Sequence, residues 1–204
     1  MKAAYYKITE EKQKRIEDAA ISEFSNSSYN EASLNNIIKT AGISKGGMFK
    51  YIEDKGELYL HVFEIALNVF FDNQKKHIDK NENCFVSRTF DMVIKSQLFY
   101  EDYPQYFKLM IQGSIDYNSP CYEQLLYLRD ALQIEQKPLL LEGVDWDQYN
   151  QSKEMVVNYV STVFMGINMK LLQLLSGEDF YDLDGYFSEL LKLKEVVLNG
   201  LKGE

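Results

Sequence analysis

Residues Ser33–Tyr59, with the sequence SLNNIIKTAGISKGGMFKYIEDKGELY, contain the clearest structural signal in the chain. A serine, a favoured helix N-cap residue, stands before each of two short segments with helical apolar spacing. Gly42 lies between the segments, where a glycine can leave a helix through the left-handed backbone region. The pattern predicts helices over residues 33–40 and 44–51. This layout is typical of a helix-turn-helix, whose second helix enters the DNA major groove.

The predicted second helix has one apolar and one polar side. We expect Met48, Phe49 and Ile52 to face the interior and Ile43 to fill the corner between the helices. Four residues are expected to face outward, namely Lys45, Gly46, Gly47 and Lys50.

These residues resemble the DNA-binding signature of the tetracycline-repressor (TetR) family of bacterial transcriptional regulators. The segment AGISKGGMFKYIEDKGEL carries the resemblance. Identical positions are Ile37, Ala41, Gly42, Ser44, Lys45, Gly46, Lys55 and Leu58, and similar ones are Ile43, Met48, Phe49 and Ile52. The segment Arg15–Phe24 resembles the first helix of the same domain. The resemblance covers residues 10–65, and the remainder is similar only in length and helical character.

The resemblance implies a set of DNA-contacting residues at the surface of the motif. They are Ser33, Asn35, Asn36, Ser44, Lys45, Gly46, Gly47, Phe49, Lys50, Tyr51 and Lys55. Lys55 is expected to bind phosphate, and base reading to depend on Lys45, Lys50 and Tyr51. The alternative is that these residues are only the surface of a packed three-helix domain.

Three positions depart from the family pattern. Gly47 replaces Thr or Ser, Phe49 replaces Tyr, and Ile38 replaces Ala between the two helices. The pair Gly46-Gly47 costs about 1 kcal/mol per residue in helix propensity relative to Ala. We therefore expect the second helix to be loose without DNA and to order on binding.

The remaining sequence predicts an all-α fold of about nine helices. The other helices are expected at 9–25, 54–78, 84–101, 104–113, 120–137, 152–176 and 183–199, with an irregular connection over 138–150. We expect residues 1–56 to form the DNA-binding domain and residues 57–204 a helical bundle for effector binding and dimerisation. The net charge of −9 lies in the second part, because residues 1–56 sum to +1 and residues 57–204 to −10.

The segment 152–176 is apolar nearly all round, a pattern typical of a helix buried on every side. The resemblance implies a homodimer that pairs this segment and 183–199 with their copies and binds a near-palindromic operator. The expected interface residues are Val156, Val160, Val163, Gly166, Ile167, Leu171, Leu190 and Val197. The alternative is an intramolecular core helix.

Aromatic residues are frequent after position 57, and the resemblance implies an effector cavity there. Its candidate lining is Gln97, Tyr100, Tyr103, Phe107, Met110, Tyr127, Asn158, Phe164 and Asn168. Such walls suit a lipophilic or aromatic small molecule. The acidic excess favours a cationic one, with Glu101, Asp102 and Asp116 as counter-charges. The alternative is that the aromatic residues form an ordinary core.

The leading hypothesis is a repressor that a small molecule releases from DNA, with the helix at 54–78 transmitting the change. The second hypothesis is a DNA-binding protein without an effector, architectural or controlled by a protein partner. No nucleophile–base pair, metal-ligand cluster or phosphate loop points to an enzyme or to a cofactor. No apolar run approaches the roughly 18 residues of a membrane helix. Cys84 and Cys121 are too few and too isolated for a disulfide framework, so we expect a cytoplasmic protein.

Overall fold

The computed structural model describes residues 1–96, 98–176 and 183–202; in α9 and α10, defined below, the side chains of residues 168, 169, 171–176, 183, 184 and 187 are not described. Within those ranges a 3-10 helix at Tyr5–Lys7 precedes ten α-helices. They are α1 (Glu10–Ser25), α2 (Leu34–Thr40), α3 (Lys45–Met48), α4 (Lys55–Lys76), α5 (Phe85–Ser96), α6 (Phe99–Asp102), α7 (Pro104–Ile115), α8 (Tyr122–Leu141), α9 (Lys153–Ser176) and α10 (Leu183–Lys202). The predicted all-α fold is confirmed, and the expected helix at 84–101 is divided into α5 and α6.

The first helices begin where the sequence predicts. Three N-cap side chains accept a hydrogen bond from the backbone N–H three residues later: Thr9 from Lys12 (3.4 Å), Ser33 from Asn36 (3.3 Å) and Ser44 from Gly47 (3.1 Å). Each bond satisfies one of the N–H groups that the first turn of a helix leaves without a partner.

Helix α8 continues through Pro138, where the sequence predicts an irregular connection. Pro138 lies in the last turn, and its carbonyl still accepts a bond from the Glu142 backbone N–H at 3.1 Å. The helix ends instead before Gly143, which adopts a φ of +69°. The prediction was wrong because the lost N–H bond and the steric conflict of the proline ring with the preceding turn disfavour a helix without always ending it.

Contacts divide the chain into two units. The first unit consists of Met1–Phe71 and Phe99–Gln133, and the second of Asp72–Leu98 and Ile134–Glu204. This division follows packing and differs from the functional boundary expected between residues 56 and 57, which stays a prediction.

The core of the first unit joins the helix-turn-helix to α4, α7 and α8. Ile16, Ile37, Met48 and Leu58 are completely buried within it, as is Leu109 of α7. Helix α7 packs along α1. The helix-turn-helix is therefore part of a larger packed body that includes α7.

The core of the second unit is built around α5, α9 and α10. Helix α10 packs on α5, and the Phe90 ring lies 4.8 Å from that of Phe164. Val156 and Val160 of α9 are also buried. The apolar face of α9 is thus satisfied in part by its own chain.

Candidate nucleic-acid interface

The turn between α2 and α3 has the backbone conformation that the sequence predicts. Gly42 adopts a φ of +65°, which favours glycine. The Ile43 backbone N–H then donates to the Ile38 carbonyl at 3.2 Å. Met48 and Ile52 are both 0 % exposed, so the predicted inward side of the motif is confirmed for these two residues.

Helix α3 is shorter than the predicted span of residues 44–51. The regular helix covers Lys45–Met48 and is followed by a turn. In that turn the backbone N–H groups of Tyr51 and Ile52 both donate to the Met48 carbonyl, at 2.8 Å and 3.1 Å. The weak helix propensity of Gly46-Gly47 explains the early end. Ordering of this segment by DNA stays a prediction.

The motif presents a mostly polar face to solvent. Its exposed members are Asn35, Asn36, Ser44, Lys45, Gly46, Phe49 and Lys50, and Ser33 and Gly47 are half-buried. Neither Lys45 nor Lys50 forms an ion pair within the described ranges. Two lysine charges are therefore available to a phosphate backbone.

The structure corrects the expected orientation of Phe49 and Tyr51. Phe49, expected both to turn inward and to approach DNA, is 39 % exposed, whereas Tyr51, expected to read bases, is 8 % exposed. The Tyr51 hydroxyl accepts a hydrogen bond from Lys12 Nζ at 2.9 Å, and its ring meets the edge of Tyr5. Tyr51 therefore supports the fold beneath the exposed face.

Lys55 also lies apart from the exposed lysines. Its Nζ donates to the carbonyl oxygens of Tyr29 at 2.5 Å and Ala32 at 3.0 Å. It also lies 4.3 Å from the centroid of the Tyr29 ring. This placement makes Lys55 an anchor for the loop before α2, and its expected phosphate contact stays untested.

An N-terminal segment that sequence reasoning missed packs on the motif. Tyr5 is 1 % exposed, and its hydroxyl donates to Glu17 at 2.5 Å. Lys2 Nζ donates to the Phe49 carbonyl at 3.2 Å and pairs with Glu53 at 2.7 Å. A three-residue 3-10 helix is too short to show a periodic pattern, so the sequence contained no signal for it.

Glu17 is the polar centre of this packing. It accepts the Tyr5 bond and lies 3.2 Å from His61 Nε2 of α4. The hydrogen bond with His61 is the main influence that holds the Glu17 pKa below its ordinary value. The ionised carboxylate thus joins the N-terminal segment to α1 and α4.

The candidate effector residues are distributed over both units. Tyr100, Tyr103, Phe107, Met110 and Tyr127 belong to the first unit, and Asn158 and Phe164 to the second. Gln97 and the side chain of Asn168 lie outside the described residues. The existence of a cavity stays a prediction.

Within the first unit, Tyr103 is stacked between two other rings. Its centroid lies 4.8 Å from Phe99 and 5.8 Å from Tyr106. Tyr127, by contrast, is 75 % exposed. Asp116, expected to be a counter-charge for an effector, is 9 % exposed and accepts the Tyr29 backbone N–H. Its carboxylate therefore serves an internal bond.

The expected dimer residues are mostly buried inside one chain. Buried members are Val156, Val160, Ile167, Leu190 and Val197, Val163 is half-buried, and Gly166 is exposed; the Leu171 side chain lies outside the described residues. Val156, Val160 and Val197 are covered by their own chain, whereas Ile167 and Leu190 line a groove between α9 and α10. Among the described side chains of α9 and α10, the large apolar ones that are exposed are Met155, Tyr159, Met165, Leu191 and Val196.

A groove of 340 Å³ runs between α9 and α10. Ile167, Leu190, Leu193 and Val196 contribute its apolar lining. The Tyr186 hydroxyl donates to the Ile167 carbonyl at 3.3 Å and joins the two helices beneath it. In the described part of the chain, no helix combines the length and the apolar character needed to cross a bilayer.

Comparison with known proteins identifies the fold. No protein-family model matches the sequence, and no curated protein matches it significantly. Among solved structures, a TetR-like transcriptional regulator from Rhodococcus sp. RHA1 is 18 % identical, with a TM-score of 0.66 over 95 % of this chain and 97 % of that one. The fatty acid degradation regulator FadR from Bacillus halodurans is 16 % identical, with a TM-score of 0.67 over 92 % and 98 %.

A third similar structure contains a ligand. FadR from Bacillus subtilis, in complex with stearoyl-CoA, is 14 % identical, with a TM-score of 0.61 over 92 % of this chain and 98 % of that one. The chain has the fold of TetR-family transcriptional regulators along nearly its whole length. The resemblance seen in the sequence is thus confirmed at the level of the fold.

Proposed function

We propose that this protein is a TetR-family transcriptional regulator that binds double-stranded DNA through its helix-turn-helix. The proposal depends on the exposed polar face of α2 and α3 in a chain with this fold. On that face, Lys45 and Lys50 form no ion pair with any described residue. Lysines on an accessible face bind phosphate and release counterions. The proposed contact set excludes Tyr51, because its side chain is buried.

Selection from a pool of duplexes with a randomised core tests this function without knowledge of the operator. The wild-type protein is expected to enrich a near-palindromic sequence. Replacing Lys45 and Lys50 by Ala should lower the slope of log K against log salt by about two for each bound subunit. Lys95→Ala, which removes an exposed lysine of α5, is the matched control. Failure to enrich any sequence, or equal slopes for all variants, would contradict the proposal.

We further propose that the regulator is a homodimer formed through the exposed apolar residues of α9 and α10. Tyr159 and Val196 are 51 % and 67 % exposed, and Val196 lines the groove between the helices. Gly166 has open space around its Cβ position, so a second helix can approach it closely. Covering this surface removes apolar area from water and favours association.

Sedimentation of two matched variants tests the dimer. Val196→Glu places a charge in the proposed interface, whereas Ile134→Glu makes the same change at a residue of α8 that is 71 % exposed. We expect the first variant to be monomeric and the second to remain dimeric. A wild-type monomer, or equal behaviour of both variants, would exclude this interface.

A lipophilic effector that releases the protein from DNA is the finer part of the proposal. Tyr103, between α6 and α7, is partly exposed and stacks on the buried Phe99 and on Tyr106, so it offers an aromatic ring to a lipophilic molecule. The net charge of −10 over residues 57–204 disfavours a polyanion such as the acyl-CoA bound by Bacillus subtilis FadR, and favours a neutral or cationic molecule.

A panel of neutral, cationic and anionic lipophilic molecules tests the effector. A true effector must raise the melting temperature and release the selected duplex, since it has to bind the DNA-free state more tightly. If no molecule does both, the alternative of a DNA-binding protein without a small-molecule effector is preferred.

A further inference from the structure

The loop between α1 and α2, residues 26–33, leads directly to the proposed DNA-contacting residues at the start of α2. Both backbone groups of Tyr29, near the middle of the loop, are bound by charged side chains from distant parts of the chain. The Tyr29 N–H donates to Asp116 Oδ2, just after α7, at 2.7 Å. Its carbonyl accepts from Lys55 Nζ of α4 at 2.5 Å. The position of this loop is therefore set by α4 and α7 together.

The Tyr29 side chain adds a third connection. Its hydroxyl and the Cys121 sulfur, at the start of α8, meet beside Gly56. A Cβ at Gly56 would come within 3.3 Å of the hydroxyl and 3.1 Å of the sulfur. Burial raises the pKa of Tyr29 to about 12. We call Tyr29, Lys55, Asp116 and Cys121 the Tyr29 junction.

The two charged anchors differ in stiffness. Lys55 has a long side chain whose ammonium also donates to Ala32, so it can follow small movements of the loop. Asp116 has a short side chain, is 9 % exposed and makes a short charge-assisted bond. A buried carboxylate that lost this donor would be left under-solvated, at a substantial free-energy cost. Asp116 and the Tyr29 backbone should therefore move as one.

We propose that Asp116 is a positioning residue for DNA binding, which transmits displacements of the turn between α7 and α8 to the start of α2. This inference rests on the proposed function and adds a route that does not depend on pivoting of α4. Helix α7 ends at Ile115, directly before Asp116. The same helix carries Tyr106 and Phe107, so a molecule that displaces α7 displaces the anchor of the loop. Asn35 and Asn36 then shift relative to α3.

The test compares Asp116→Ala with Glu123→Ala, a matched loss of one carboxylate from an exposed site in the first turn of α8. Hydrogen exchange is measured on the free proteins, and affinity is measured for the duplex that the wild type selects.

Asp116→Ala should accelerate amide exchange over residues 28–36 and weaken duplex binding by about tenfold, the scale of one charge-assisted hydrogen bond. The salt slope should stay at the wild-type value, because no phosphate contact is removed. Glu123→Ala should change neither exchange nor affinity by that amount, and Asp116→Asn, which keeps an acceptor, should be intermediate.

Three results would overturn the inference. Unchanged exchange over residues 28–36 in Asp116→Ala shows that the bond does not hold the loop. If Asp116→Ala exchanges faster but binds the duplex as tightly as Glu123→Ala does, the position of the loop does not affect DNA binding. If the wild type binds no duplex, the proposed function fails and the positioning role fails with it, while the exchange data still decide whether Asp116 holds the loop.

A second variant disturbs the Tyr29 junction at the tyrosine hydroxyl instead of at the backbone. It keeps the inference testable if Asp116→Ala does not fold. Gly56→Ala inserts a methyl group between Cys121, Asp54 and the Tyr29 hydroxyl. Gly200→Ala is its control, since nothing lies within 4 Å of that Cβ position. We expect Gly56→Ala to reproduce the faster exchange and weaker binding, and equal behaviour of the two glycine variants would contradict the inference.

Discussion

Each unit of the chain uses a cationic side chain to bind main-chain carbonyl groups, and the two cations are built differently. In the first unit, half-buried Lys55 donates to two carbonyls of one loop. In the second unit, Arg88 of α5 is 1 % exposed. Its guanidinium donates to Glu82 (2.9 Å), Leu140 (2.9 Å) and Glu142 (2.6 Å).

The difference lies in how many segments each cation joins. Arg88 ties the segment before α5 to the end of α8, and a planar guanidinium has five donors in a fixed arrangement. Lys55 holds one loop through a flexible stem and shares that loop with Asp116. We therefore expect Arg88 to hold its two segments in a fixed position, and the Tyr29 junction to allow small movements of the loop between α1 and α2.

The largest expected effect is on the second unit. Arg88→Met should lower the free energy of unfolding by about 3–5 kcal/mol, because several partly buried carbonyl groups lose a buried donor at once. Urea unfolding followed by Trp146 fluorescence measures it, since this sole tryptophan packs 5.6 Å from Phe85 in the same unit. Lys80→Met is the control, because Lys80 lies in the same unit and forms an exposed surface pair with Glu142. Equal urea midpoints for the two variants would show that Arg88 contributes no more to stability than an exposed cation does.

Lys55→Met should have a smaller effect on stability and a diagnostic effect on DNA binding. Loss of two carbonyl bonds should cost about 1–2 kcal/mol of unfolding free energy. If Lys55 is only an anchor, affinity for the selected duplex falls while the salt slope is retained. A slope lower by about one per subunit would instead support the phosphate contact that the family resemblance implies.

Glu17→Gln tests the polar centre of the first unit through its pH dependence. The folded-state pKa of Glu17 lies below its ordinary value of 4.5, so its ionised form stabilises the fold above that value. The variant should be less stable than the wild type by about 1 kcal/mol at neutral pH. This difference should disappear as the pH falls below the ordinary value and through the depressed pKa. Thermal unfolding across that range measures it, and a difference independent of pH would assign the effect to packing.

The smallest expected effect is at a buried tyrosine of the first unit. The Tyr59 hydroxyl has no hydrogen-bond partner among the described residues, although Tyr59 is only 1 % exposed. Tyr149 of the second unit accepts the Val86 N–H at 3.2 Å and lies 3.2 Å from the Cys84 sulfur. Tyr59→Phe should therefore leave stability unchanged or raise it by up to about 1 kcal/mol, whereas Tyr149→Phe should cost about 1–2 kcal/mol. Equal losses would indicate that the Tyr59 hydroxyl is satisfied in solution.

Local chemistry explains which parts of the site could be read in advance. The caps at Ser33 and Ser44 and the left-handed Gly42 depend on interactions within four residues, so the sequence was sufficient for them. The orientation of Phe49 and Tyr51 was not predictable in this way. Tyr51 is buried because Tyr5 and Lys12, about 40 residues earlier, cover it.

The sequence by itself determined the all-α class, the ends of most helices and the exposed Lys45 and Lys50, because helix periodicity and capping are short-range effects. Only the tertiary structure decided which apolar residues of α9 remain exposed, since that helix is apolar nearly all round and burial depends on which neighbours cover it. The tertiary structure also decided the roles of Lys55, Arg88 and Asp116. A charged side chain shows its type in the sequence, whereas the carbonyl or N–H that it binds, up to 87 residues away for Asp116, is brought to it only by folding.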